Sequence, residues 1–399
     1  MKKLMEKVSI LSLSLILTTA FSISSAQSAM FAFYKEIPES WVELLVSLPS
    51  AGIMLMLLPS AGIMVSLIFN KWIGRLFSER QMIVSGLLIF SLCGLLPLLS
   101  QSYWLMFASR IVFGMGIGLL NAKAISIVSE RYKGQERVRL LGLRGSAEVV
   151  GTAFLTFGVS LLLPLGWQAA FLVYTFGLVV LAFYLLFVPY DKVSEKQQEQ
   201  SESTPKLSQQ DWQLSLAFAF VAGVIVLTYI AINVRVPGIV EKSGMGTPQT
   251  AGMILSLMQL IGIAAGISFA SLTRLFRDKL LMLSGLVFGL TQIIIGFSPN
   301  LLSLSFATIS AGFVYSVGLT TIFYTLSERI SAHLLNQATS IVILGCSIGA
   351  TATTFVLSFI GSFSNAPAFI FSVLGMAMIL TSLFVLRFSK EKSGMASGS

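Results

Sequence analysis

Charge is scarce in this chain of 399 residues, of which only 11% are Asp, Glu, Lys or Arg. Soluble domains carry about 25%, so a molecule exposed to water over its whole surface is excluded. Histidine occurs once, at His333, and cysteine twice, at Cys93 and Cys346. Neither residue has metal-ligand spacing, and both cysteines fall inside apolar runs, where they read as small packing residues. His333, in an expected loop, reads as incidental. The Gly-rich Gly-Lys-Ser/Thr phosphate loop is missing, which excludes nucleotide hydrolysis within this chain as a driving force. No His/Cys/Asp cluster or serine–histidine pair offers catalytic machinery, so neither an enzyme nor a cofactor is expected.

What the chain has in abundance is long apolar runs. Hydrophobic residues make up 55% of it, and its mean hydropathy is +0.87. A helix needs about 20 apolar residues to cross a hydrocarbon core of about 30 Å. Twelve runs meet that length, near 8–33, 41–69, 81–100, 103–128, 140–163, 167–188, 212–234, 248–271, 280–298, 300–326, 335–361 and 366–387. The expected fold is an all-α membrane protein with twelve transmembrane helices in two six-helix repeats. Its expected divisions are a first bundle over 1–189, a cytoplasmic linker over 190–211, a second bundle over 212–388 and a tail over 389–399. The linker is polar, mixed in charge and without an apolar face, as flexible connections are.

The repeat is visible in the letters. Arg75-Leu76-Phe77 returns 199 positions later as Arg274-Leu275-Phe276, and Ser85-Gly86-Leu87 as Ser284-Gly285-Leu286. Glu79-Arg80 is echoed by Asp278-Lys279, and Ser129-Glu130-Arg131 by Ser327-Glu328-Arg329 at an offset of 198. A shorter duplication, LPSAGIM at 48–54 and 58–64, lies inside the second run and has no functional account at this level.

The net charge of +9 comes from short loops on alternate sides of the spans rather than from a basic face. With the amino terminus inside, 20 of the 26 Lys/Arg fall on the inner side, three outside (Lys35, Arg235 and Lys242) and three within spans. That imbalance places both termini in the cytoplasm of a multi-pass protein of the cell membrane. The first run, with Lys2-Lys3 before it and Ser24-Ser25-Ala26 near its end, has the look of a signal peptide. Its removal would break the six-plus-six symmetry, so it is retained as a span. Ser25 and Gln27 then lie inside the membrane, either as small helix contacts or as the wall of a polar cavity.

Charges inside spans are costly and mark function or pairing. Arg110 and Lys123 lie in the fourth run, Arg144 and Glu148 in the fifth. Their counterparts 198 positions on are Thr308, Thr321, Val342 and Cys346, so the charges belong to one half alone. Glu148 is the expected proton carrier, with Arg144 one turn earlier either as its coupling partner or as a plain i, i+4 ion pair. Arg110 either binds an anionic substrate or donates to backbone carbonyls. Lys123 is expected to snorkel.

Arg110-x-x-x-Gly114-x-Gly116-x-Gly118, the Glu130-x6-Arg137 element and the basic hairpins after the second and eighth runs resemble the major facilitator superfamily of secondary transporters. In the hairpin, Arg75 stands where the family's signature has Asp, and the family's antiporter signature on the fifth span is absent. The resemblance implies a cavity lined by spans 1, 4, 7 and 10, where Ser25, Gln27, Asn121, Tyr229, Asn233, Phe313 and Tyr315 would meet substrate beside Arg110. It also implies gates at the cytoplasmic end, made by Arg75, Arg80, Glu130, Arg131, Arg274, Asp278, Glu328 and Arg329. The expected activity is alternating-access transport, foremost the proton-coupled efflux of amphipathic compounds by antiport. Uptake or exchange of a small organic anion is the alternative, and a non-transporting membrane sensor the alternative from another class. The expected partners are a small-molecule substrate, protons and the bilayer, with no nucleic acid, for a monomer.

Overall fold

The computed structural model describes residues 2–57, 79–132, 134–188, 207–331 and 334–393. Arg75, His333, the second LPSAGIM copy and most of the 190–211 linker lie outside the described residues. Helices follow each expected apolar run. They are α1 (Leu4–Ile16 and Thr19–Phe33, meeting at 48°), α2 (Glu39–Leu57), α3 (Glu79–Leu99), α4 (Tyr103–Arg131), α5 (Gly134–Leu162) and α6 (Ala169–Phe187). The second series is α7 (Gln209–Lys242), α8 (Pro248–Phe276), α9 (Leu280–Gly296), α10 (Leu301–Arg329), α11 (Leu335–Gly361) and α12 (Pro367–Ser393). Among the described residues nine helices are long and apolar enough to cross a membrane alone, and α1 is so as a bent pair. Trp41–Ser50 of α2 and Leu280–Gly296 are shorter apolar stretches. The protein is therefore an all-α membrane protein.

Local chemistry sets where these helices begin. Ser208 Oγ accepts the Asp211 N–H at 3.1 Å, capping α7. Thr247 and Thr250 form a reciprocal capping box at α8, with Pro248 in the first turn, where its missing N–H costs nothing. Asn300 Oδ1 accepts the Ser303 N–H at 2.9 Å and starts α10. One boundary differs from expectation. The seventh helix runs on past 234 to Lys242, so Arg235, assigned to an outer loop, lies within a helix. Pro237 does not end it, and the turn comes at Gly244, whose φ of 65° suits glycine.

The helices pack in matching pairs. In the first series α1 lies on α5, α2 and α3 on α4, and α3 on α6. In the second, α7 lies on α11, α8 and α9 on α10, and α9 on α12. Across the series α5 meets α8 and α2 meets α11. The closest approaches also recur. A Cβ on Gly114 would overlap the carbonyl of Pro49, and one on Gly312 that of Met258. A Cβ on Gly151 would overlap the carbonyl of Leu15, and one on Gly349 that of Gly223. Only glycine allows backbones so close, which is how membrane helices gain packing without a hydrophobic drive between them.

The outside of the bundle is apolar, with Leu302 82%, Ile267 79% and Phe306 74% exposed, as a lipid-facing surface requires. At the end away from the basic hairpins, Tyr34, Trp41, Tyr103, Trp104 and Trp167 form a contiguous ring cluster. Tyr103 Oη donates to the Trp41 carbonyl and Tyr34 Oη to that of Gln101, each at 2.9 Å. Such amphipathic rings mark a membrane–water interface.

Candidate transport site

The break in α1 falls beside Glu148. Between Ile16 and Thr19 the helix turns, and Thr19–Ala26 continues in tighter 3₁₀ geometry. Thr18 Oγ1 donates to the Glu148 carbonyl at 3.3 Å and shares a 2.5 Å hydrogen bond with Thr152 Oγ1. Small polar residues permit the irregular stretch, because their hydroxyls return bonds to the backbone a turn earlier. Thr19 and Ser24 do this to Ile16 and Phe21, at 2.8 and 2.6 Å. The hydroxyls of Ser22 and Ser25 and the Gln27 Oε1 are buried without a hydrogen-bond partner. A discontinuous helix with unsatisfied polar groups at membrane depth is the kind of element that lines a carrier's binding site.

On α5, Arg144 Nη2 lies 2.6 Å from Glu148 Oε1 and also donates to Asn121 Oδ1 of α4 at 3.2 Å. The two charged side chains keep 18% and 20% of their surface, while Arg144 Nε and Glu148 Oε1 themselves are buried. Tyr315 of α10 lies within electrostatic reach of Glu148 and Cys346. Its ring stacks on Tyr229 of α7, centroids 3.8 Å apart and planes at 14°. Asn233 Nδ2 donates to the Tyr229 carbonyl at 3.0 Å, and its Oδ1 is buried without a partner. Asn121, Arg144 and Glu148 are thus gathered between α4 and α5, and Tyr229, Asn233 and Tyr315 on α7 and α10, the two groups linked by the reach of Tyr315 to Glu148.

Other expected site residues are placed elsewhere. Ser25 faces the α5–α8 contact, near Gly252 and Ser160. Phe313 packs against the small cluster of Ala265, Leu280 and Val317 rather than on the tyrosines. Arg110 is fully buried: Nε donates to the Leu45 carbonyl at 3.1 Å and Nη2 to that of Ala20 at 3.0 Å. Its guanidinium lies 4.5 Å from the Phe113 ring centroid and 5.6 Å from that of Tyr174. Of its two readings, the backbone-carbonyl one describes this arrangement, in which Arg110 ties α4 to α1 and α2.

Glu43 was missed. It lies in α2, only 2% exposed, with Oε1 3.0 Å from Arg235 Nη1 of α7. Nearer the surface Lys242 Nζ lies 3.6 Å from Glu39 Oε2, also joining α2 to α7. Deeper in, Ser47 Oγ and Thr354 Oγ1 are 2.7 Å apart between α2 and α11. Glu43 is therefore a second acid inside an expected span, besides Glu148. The signal was present in the sequence, since Glu43 falls two residues inside the 41–69 run.

At the opposite end the expected gate residues Glu130 and Arg131 close α4, Arg80 opens α3, and Glu328 and Arg329 close α10. Arg274, at the end of α8, and Asp278 sit at the α8–α9 turn. A cavity of about 490 Å³ lies there, reached by Arg274, Arg277 and Arg329.

Twelve apolar runs, two matching packing series and a polar site at a broken helix define a secondary transporter. The chain belongs to the Major Facilitator Superfamily, whose sequence profile matches residues 8–350. Among solved structures it resembles a D-xylose-proton symporter, with a TM-score of 0.73 and 16% identity, covering 96% of this chain and 97% of that one. It also resembles a peptide transporter POT in complex with alafosfalin, with a TM-score of 0.70 and 15% identity, covering 96% and 94%. A POT family transporter in complex with 5-aminolevulinic acid matches at a TM-score of 0.70 and 13% identity, covering 96% of each chain. Among curated proteins none matches at a significant level.

Proposed function

We propose that this carrier exports amphipathic compounds in exchange for protons by alternating access. In this reading two halves, 1–189 and 212–388, rock about a midplane site, and both termini face the cytoplasm of a cell whose plasma membrane holds a single copy as the working unit. The observation that supports it best is the Arg144–Glu148 pair, a partly accessible ion pair at membrane depth beside the Tyr229–Tyr315 stack. A proton on Glu148 would release Arg144 from the pair, and a stacked aromatic platform with few fixed donors suits varied apolar ligands. The Glu43–Arg235 pair acts as an outer gate, and the hairpin-end charges as an inner one. Arg110 is a packing element in this scheme.

Uptake of a small organic anion is the second reading. What favours it is the neighbours' own names, since one is a proton symporter and another holds 5-aminolevulinic acid. Inside-out vesicles decide between the two. With an imposed proton gradient, a lipophilic cationic dye is expected to accumulate with wild type and not with Glu148→Gln. Gradient-driven accumulation that survives in Glu148→Gln removes the coupling role. No accumulation in either protein, together with exchange of a labelled organic anion, favours the second reading.

A further inference from the structure

Among the described residues Arg277 is the one non-glycine with positive φ. Its φ of 45° and ψ of −128° mirror the extended region and suit glycine alone. An arginine kept in such a conformation at a helix-to-helix turn is a pointer to a task for its side chain. That side chain lines the cavity of about 490 Å³ at the hairpin end, together with Arg274, Arg329 and Glu328. Three cations and one carboxylate leave a net charge of +2 around the mouth. None of these four side chains has an ion-pair partner among the described residues. The remaining wall is different in kind. Phe218 of α7, Leu281 of α9 and Phe384 of α12 supply an apolar face, beside the hydroxyls of Thr273, Thr321, Tyr324 and Thr325, and Phe384 is itself 45% exposed.

We infer that this cavity binds an anionic phospholipid of the adjoining leaflet. Its phosphodiester would be held by Arg274, Arg277 and Arg329, and an acyl chain would lie along Phe218, Leu281 and Phe384. Basic pockets between helices at a membrane surface recognise headgroups in this way, with arginine matching phosphate geometry. A soluble anion would use the arginines and leave the apolar wall bare, which is why the lipid is the fitting occupant. The lipid would connect the α8–α9 turn to the ends of α7, α10 and α12.

The test is a titration of the purified full chain in detergent, followed by native mass spectrometry. Phosphatidylglycerol and phosphatidylcholine with the same acyl chains are compared, and inorganic phosphate is added in excess as competitor. Wild type is expected to prefer phosphatidylglycerol. The variant Arg277→Gly is expected to lose about fivefold in that affinity, and Arg277→Gly/Arg329→Ala about thirtyfold. Glycine accepts the backbone at 277, so Arg277→Gly should unfold no earlier than wild type, which separates lost binding from lost fold. Equal affinity for the two lipids, unchanged binding in the double variant, or displacement by inorganic phosphate would each overturn the inference.

Discussion

The two series of helices share a scaffold but not a chemistry. Gly114 and Gly312 stand 198 positions apart and make the same approach to a neighbouring backbone, as do Gly151 and Gly349. Thr156 and Thr354, again 198 apart, each reach across to the other series, to Gln259 at 3.1 Å and to Ser47 at 2.7 Å. At the charged positions the likeness ends. Arg110 bonds two carbonyls where Thr308 has a buried hydroxyl without a partner, and Arg144 and Glu148 face Val342 and Cys346. Duplication supplied the frame twice, whereas the charges that make a site were placed once.

The same comparison explains the LPSAGIM duplication. By the backbones they approach, Leu15 corresponds to Gly223 and Pro49 to Met258, offsets of 208 and 209. At Arg75 and Arg274 the offset is 199. Ten residues have therefore been gained in the first series between Pro49 and Arg75, and the two LPSAGIM copies are ten residues apart. The duplication is that insertion.

Breaking the shared scaffold should have the largest effect. Gly151→Leu and Gly349→Leu drive a side chain into a backbone carbonyl, and each is expected to cost more than about 4 kcal/mol, read as loss of monodisperse protein on size exclusion. A strong effect in one half and a mild one in the other would end the claim of equivalence. Next comes Arg110→Met, which strands two buried carbonyls and should lower stability by about 2–4 kcal/mol in denaturant unfolding. Thr308→Val, its counterpart, removes a hydroxyl with no partner and should stay within about 1 kcal/mol of wild type. The smallest effect is expected for deletion of residues 48–57. Pro59 then takes the place of Pro49, and the segment up to Arg75 loses ten residues, which restores the spacing of its counterpart. Folded yield close to wild type supports the insertion; collapse of the protein contradicts it.

Much of this was legible in the sequence, because a span announces itself through an unbroken apolar run. Each of the runs is helical over most of its described length, and the basic hairpins located the repeat. The glycines of α4 were legible as a contact, with Gly114 on α2 and Gly116 on α3. The outer ion pair was not. Hydropathy ended the seventh span at 234 because Arg235 is charged, yet neutralisation by Glu43 lets the helix continue. Pairing between residues 192 positions apart leaves no trace in a local window. Nor does composition show that Thr19–Ala26 is tightly wound, since its serines suit helix contacts equally well. Arg110 shows the reverse limit, because its burial is visible only once the rings of Phe113, Phe171 and Tyr174 surround it.

The Arg144–Glu148 pair also has an electrical meaning. As an ion pair it carries no net charge, so it adds little to the work of turning the unloaded carrier against the membrane potential. With the proposed proton on Glu148, Arg144 remains as one positive charge. Moving that charge through the full field is worth about 2.3 kcal/mol per 100 mV. The resting orientation of the protonated carrier would then follow voltage as well as acidity, and the neutral counterparts Val342 and Cys346 add nothing to that gating charge.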